Sequence, residues 1–142
     1  MSSVEQLKAH GIPPTAQRVA VADYVLKTTE HPGADLVWQR VRERFPLISR
    51  ATVYNTLNLF VEKGLLRSWV LAEGRLVFDP MLERHHHFVD EVTGVIHDVP
   101  WEALEVRRVK ELEGFDVSEF QVVLRGKARA RRPSARPKAA KA

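Results

Sequence analysis

The chain has 142 residues, 44% of them hydrophobic, with 22 Lys and Arg against 18 Asp and Glu, six His and no Cys. That suits one ordinary globular domain or two small ones and excludes a wholly disordered chain. No apolar run reaches the roughly 18 residues of a membrane span, and lack of cysteine removes disulfides, thiolate zinc sites and cysteine nucleophiles. Met1–His10 has no hydrophobic signal core, so a cytoplasmic protein without a membrane partner is expected.

The net charge of +4 is unevenly spread. Residues 1–79 carry ten basic and eight acidic side chains, residues 80–124 four and ten, and residues 125–142 eight and none. The acidic middle also holds four of the six His. This pattern suits a cation in the middle and nucleic acid at the ends, although a solvated acidic surface with a solubilising tail satisfies charge alone.

Ser3–His10 has a short helical pattern, stopped by Gly11 and Pro13-Pro14. Thr15 caps a second predicted helix with Val19, Ala22, Val25 and Leu26 on its apolar face, broken by His31-Pro32-Gly33. A third spans Ala34–Phe45, with Val37, Val41 and Phe45 in phase and Pro46 at its end. Ser49 caps a fourth, and Gly64 stands where a helix end favours a left-handed residue. Strands over Leu66–Leu71 and Leu76–Asp79 flank a Glu73-Gly74 turn. Three helices and a two-stranded ribbon, after a short leading helix, make a winged helix-turn-helix over residues 1–79. In the fourth helix Val53, Leu57, Phe60 and Val61 form the apolar stripe. Arg50, Tyr54 and Asn58, with Ala51 and Asn55 at one edge, form the other face. A guanidinium, a phenol and two amides match the groups that read base edges and phosphates in a major groove, whereas an ordinary solvent face is richer in Lys and Glu.

Residues 80–126 read as a hairpin (His85–Asp90 and Val95–Val99), a helix over Trp101–Glu113 and a strand over Phe115–Leu124. A unit of about 45 residues lies near the size below which folding needs a metal or a second subunit. Residues 127–142 lack large apolar side chains and are expected to be a disordered basic tail. The overall class is α+β: a winged helix followed by a small α/β unit. Trp38, Phe45, Trp69, Phe78 and Trp101 read as core or domain-contact residues rather than binding platforms.

Within His85-His86-His87, strand alternation sends His85 and His87 to one face and His86 to the other. A loop over Glu91–Gly94 pairs Val89 with Ile96, Phe88 with His97 and His87 with Asp98. His85, His87 and Asp98 then converge as an N/O donor set for Fe(II), Mn(II) or Zn(II); a slip of one residue would substitute His97 for Asp98.

Gly11-Ile12-Pro13-Pro14-Thr15-Ala16-Gln17-Arg18, His31-Pro32-Gly33-Ala34-Asp35 and Ser49-Arg50-Ala51-Thr52-Val53-Tyr54-Asn55-Thr56-Leu57 resemble the ferric uptake regulator (Fur) family. The His triplet and Gly94-Val95-Ile96-His97-Asp98 continue the likeness in order. The resemblance implies a homodimeric, metal-responsive transcription regulator, usually a repressor, that binds palindromic double-stranded DNA and is not an enzyme. It also implies that the small C-terminal α/β unit is a dimerisation domain. It adds Arg18 to the expected DNA contacts, and His31 and Asp79 to His85, His87 and Asp98 as ligands of a metal held between the domains. Asp at position 79 resembles the peroxide-sensing branch, in which iron-bound His31 and His85 would be oxidised. The triplet also resembles the iron response regulator branch, so His86 is a candidate for haem or, with Glu105, a second metal. Asp90-Glu91-Val92-Thr93 replaces the Cys-x-x-Cys of the family's structural zinc site, so dimer stability is expected to rest on the C-terminal sheet and apolar packing. Rival readings are a small metallohydrolase using His85 and His87, and a constitutive winged-helix protein with incidental His.

Overall fold

Side-chain caps set the starts of three of the four helices. Ser2 accepts from the Glu5 N–H ahead of α1 (Ser3–Ala9), Thr15 from Arg18 ahead of α2 (Ala16–Val25), and Ser49 from Thr52 ahead of α4 (Arg50–Glu62). Each oxygen satisfies one of the donors a helix start leaves open. The third helix, α3 (Ala34–Val41), follows Gly33 without a side-chain cap. It stops four residues before the expected Phe45: the N–H groups of Arg44 and Phe45 both bond to the Val41 carbonyl. Pro46 disfavours helical backbone at the residue before it, so the chain closes into turns instead. Gly64 ends α4 at φ +80°.

The computed structural model describes residues 1–71 and 74–130. Ala72 and Glu73, and residues 131–142 of the expected basic tail, lie outside the described residues. The chain divides into two compact units between Leu82 and Glu83.

In the first unit Leu7 of α1, Val21 and Val25 of α2, and Val37 and Val41 of α3 pack with Val53, Leu57 and Phe60 of α4. Full burial of each such side chain is worth about 1.5–3 kcal/mol, so this stripe fixes which face of α4 is left to solvent. Val61 packs half-buried against this core as expected, and Thr56 is buried beside it, its hydroxyl donating to the Thr52 carbonyl at 2.7 Å. The ribbon pairs β1 (Arg67–Val70) antiparallel with β2 (Leu76–Asp79), with Trp69 opposite Val77. The Phe78 N–H donates to the Pro32 carbonyl at 2.8 Å, tying β2 to the loop before α3.

The second unit is a three-stranded sheet in the order β4-β3-β5, built from β3 (His85–Asp90), β4 (Ile96–Pro100) and β5 (Val123–Gly126). The antiparallel pairs are those expected: Val89 with Ile96, Phe88 with His97 and His87 with Asp98. The Asp90 carboxylate closes the connecting loop by accepting from the N–H groups of Val92 at 2.8 Å and Thr93 at 3.2 Å. The Val92 N–H holds that carboxyl below its ordinary pKa. Hydrogen bonds thus staple the loop that carries Asp90-Glu91-Val92-Thr93.

Two expectations for this unit are corrected. Trp101–Glu113 is not a helix: it forms two 3-10 turns, Trp101–Ala103 and Val109–Glu111, with Leu104 extended and Arg108 left-handed at φ +65°. A helix there would have continued the face begun by Trp101 and Leu104 into Arg108 and Glu111, burying charge. The last strand is also shorter than Phe115–Leu124. Its parallel ladder with β3 begins where His87 meets Val123, leaving Phe120 to pack instead against Trp101 with ring centroids 4.9 Å apart. The chain is α+β, with every α-helix among the described residues in the first unit.

Candidate metal centre and nucleic-acid interface

In the first unit, His31 sits between α2 and α3 at φ +51°, a left-handed conformation that costs a residue with a Cβ about 1–2 kcal/mol. Its neighbours hold that geometry. The preceding Glu30 carboxylate accepts from Arg40 Nη2 at 2.9 Å and from the Tyr24 hydroxyl at 2.9 Å. Arg40 holds the Glu30 carboxyl below its usual range. On the other side, Pro32 is fixed to β2 as described. His31 Nε2 lies 3.4 Å from Asp79 Oδ2, and both residues are buried. Asp79 Oδ1 accepts from the Met81 N–H at 2.9 Å, which leaves Oδ2 directed at the imidazole.

In the second unit, strand alternation places His85 and His87 on one face of β3, their ring centroids 4.7 Å apart. His85 Nδ1 lies 2.7 Å from the Glu83 carbonyl oxygen, and His87 Nδ1 lies 2.7 Å from Gln121 Oε1. Both partners are acceptors, so Nδ1 is the donor in each ring and Nε2 is the nitrogen left for a metal. Those Nε2 atoms face Asp98 Oδ1 at 3.4 and 3.8 Å. Outer partners that fix the tautomer in this way are a regular feature of metal-ligating imidazoles. The donor sets fit a borderline or hard divalent ion: His85, His87 and Asp98 in one unit, His31 and Asp79 in the other. Each set alone falls short of the four to six ligands such ions take.

His86 points to the opposite face and has other work. Its Nδ1 accepts from the Val122 N–H at 2.9 Å, and its ring stacks on Trp101 at 4.6 Å and 17°. The Arg84 guanidinium lies 4.6 Å from the Trp101 ring centroid. Burial, reinforced by His85 and His87, pushes the His86 pKa down, so the ring is neutral. The lone pair that haem or a second metal would need is engaged by the backbone. Glu105 is exposed, and among the described residues neither it nor His86 belongs to a group of three or more metal-type side chains. This arrangement argues against the second-site expectation.

On α4, Arg50, Ala51, Tyr54, Asn55 and Asn58 are all exposed on the face opposite the core stripe. A groove of about 300 Å³ beside that face is lined by Thr15, Gln17, Arg18, Thr52 and Asn55, among others. Arg18 Nη1 donates to the Pro13 carbonyl at 2.8 Å. One residue of this face escaped the sequence reading. Asp35, in the first turn of α3, accepts from the Tyr54 hydroxyl at 2.8 Å and pairs with Arg50 Nε at 3.5 Å. The hydrogen bond raises the Tyr54 pKa, so the phenol keeps its proton. Arg50 also lies 4.9 Å from the Trp38 ring centroid, and the Trp38 indole N–H donates to the Ile48 carbonyl at 3.0 Å.

Fold and donor sets together define a winged-helix protein with imidazole–carboxylate metal donors and no thiolate. The sequence profile of the Ferric uptake regulator family matches residues 9–125, and the chain belongs to that family. It is 33% identical over 126 residues to the Peroxide operon regulator of Bacillus subtilis (strain 168), covering 87% of each chain. It is 32% identical to the Peroxide-responsive repressor PerR of Staphylococcus aureus (strain Mu50), covering 87% of this chain and 85% of that protein. Among solved structures, the Campylobacter jejuni peroxide stress regulator aligns with a TM-score of 0.62 at 27% identity, covering 92% of this chain and 98% of that one. A zinc-bound manganese uptake regulator aligns with a TM-score of 0.68 at 23% identity, covering 90% and 99%, which supports the fold.

Proposed function

We propose that the chain is a metal-dependent, DNA-binding transcriptional repressor that senses peroxide. One observation carries the reading: imidazole–carboxylate donors stand in both units, His31 and Asp79 in one and His85, His87 and Asp98 in the other, and neither set fills a divalent ion's coordination shell by itself. One ion shared by His31, Asp79, His85, His87 and Asp98 would meet the coordination need of both sets. These ligands would tie the DNA-reading unit to the sheet unit, so ion binding and DNA binding are thermodynamically linked. Similarity to peroxide-responsive regulators supports the sensing role. The donor set fits Fe(II) and Mn(II) as physiological ions, with Zn(II) a competitor in purified protein.

Iron(II) held there would supply the chemistry that cleaves the O–O bond of hydrogen peroxide, so that one oxygen adds to a carbon of a nearby imidazole, oxidising it by two electrons, and the other leaves as water. His31 and His85 are the residues assigned to receive that oxygen. An oxidised imidazole is a poorer ligand, so the linkage to DNA is lost and the promoter is released.

The C-terminal unit is assigned to homodimer formation. Val95, Val106, Leu112 and Phe115 are exposed there, Phe115 by 72%, which gives apolar surface for a second copy. A dimer presents two α4 helices to a palindromic operator. Sedimentation at micromolar concentration should return the dimer mass.

Mass spectrometry of iron-loaded protein after dilute peroxide tests the sensing role. One added oxygen atom on the peptides containing His31 or His85 is expected. Absence of added oxygen on every histidine peptide would remove peroxide sensing and leave a metal-responsive regulator.

A further inference from the structure

Asp35 places a negative charge on the face that α4 offers to a polyanion. Its side chain is 60% exposed and that of Arg50 is 58% exposed. Exposed ion pairs add little to stability, so fold maintenance does not explain the arrangement. Its geometry instead constrains what Arg50 and Tyr54 can do. Arg50 is held at its Nε edge by the carboxylate and lies over the Trp38 face, which leaves the two Nη groups as its donors toward DNA. Tyr54 gives its hydroxyl proton to Asp35, so toward DNA its oxygen can only accept.

We propose that Asp35 is a specificity-determining positioning residue, which orients Arg50 and Tyr54 for base edges and keeps Arg50 from pairing indiscriminately with phosphate. An oriented Nη pair suits the N7 and O6 acceptors of guanine, and an acceptor-only phenol suits the amino group of cytosine or adenine. Prior fixing of both side chains also lowers the ordering cost of binding. The inference rests on α4 being the DNA-reading helix, as assigned above.

The test begins by selecting duplexes from a random library with Mn(II)-loaded wild-type protein. Affinities for the selected and a scrambled duplex are then measured for wild type, Asp35→Asn and Asp35→Ala over a range of salt. Asp35→Ala is expected to lower the selected-to-scrambled ratio about 10-fold. Its affinity for scrambled DNA should rise, and the salt slope there should steepen by about one phosphate contact. Asp35→Asn retains an acceptor for Tyr54 but loses the charge facing Arg50, so its ratio should fall less. Unchanged thermal unfolding in both variants separates positioning from folding.

A ratio unchanged within about twofold would overturn the proposal. So would an equal rise in both affinities, which would make Asp35 a simple repeller of DNA. A wild-type selection that enriches no sequence would overturn the DNA reading of α4 and this proposal with it.

Discussion

Gln121 lies outside the set of proposed ligands, yet replacing it with Leu is expected to weaken metal binding. Its Oε1 takes the Nδ1 proton of His87 at 2.7 Å, and His87 is 0% exposed. Without that acceptor the ring has two options. It can keep its proton on Nδ1 as a buried donor stripped of its partner, which costs about 1–3 kcal/mol. Alternatively it can move the proton to Nε2, which removes the lone pair directed toward Asp98. Either way the liganding form is disfavoured by about 1–3 kcal/mol, or roughly 5- to 150-fold in affinity. That range overlaps the roughly 10- to 100-fold typical of outer partners of metal-bound imidazoles. Mn(II) affinity measured by competition with a fluorescent chelator provides the assay, with circular dichroism as the check on fold. Gln121→Glu retains an acceptor and should bind at least as tightly as wild type. A Gln121→Leu variant that folds and binds Mn(II) within about twofold of wild type would refute the argument that this hydrogen bond sets the tautomer.

Three further expectations concern the frame around the site. His31→Gly and His31→Ala both remove the imidazole and differ only in placing a Cβ at φ +51°; the Gly variant should be more stable by about 1 kcal/mol in urea unfolding, and equal stability would show that the backbone strain is absent. Ser49→Ala removes the cap that accepts from the Thr52 N–H at 3.0 Å and should cost about 1 kcal/mol, read by the same method; a change near zero would mean the cap is dispensable. The Asp90 carboxyl is lowered from 3.8 by its loop N–H groups, so its contribution is present above that value and lost as pH falls through the lower folded-state pKa. Acid unfolding of Asp90→Asn should therefore depend less on pH below about 4 than wild type, and identical profiles would contradict this.

Where the controlling interactions are local, the sequence was legible. Thr15, Ser49 and Gly64 act on adjacent backbone, so the start of α2 and both bounds of α4 followed from residue chemistry, whereas α2 ends at Val25, short of the expected break at His31-Pro32-Gly33. The β3–β4 register was also legible, because the Glu91–Gly94 loop leaves little freedom once the alternating face is assigned. Three features depended on tertiary structure. Resemblance suggested both His31 and Asp79, but only folding through the Pro32–Phe78 hydrogen bond shows them side by side. Asp35 looked like an ordinary acid in a helix's first turn, where the dipole favours it, and nothing local revealed its reach to α4. Gln121 meets His87 through a parallel pairing between distant segments that no short motif announces. The helix expected over Trp101–Glu113 was misread because its apolar content outweighed a phase that would have buried Arg108 and Glu111. His86 was a candidate through its place in a triplet, and the alternation read from the sequence had already set it on the face opposite His85 and His87.

The direct test of the central claim is operator affinity at matched ionic strength, with Mn(II) in excess and after complete chelation, for wild type and for Asp98→Ala. The account predicts tight binding only for metal-replete wild type, with Asp98→Ala reduced to the chelated level. Equal affinity of metal-replete and chelated wild type for the operator would contradict it.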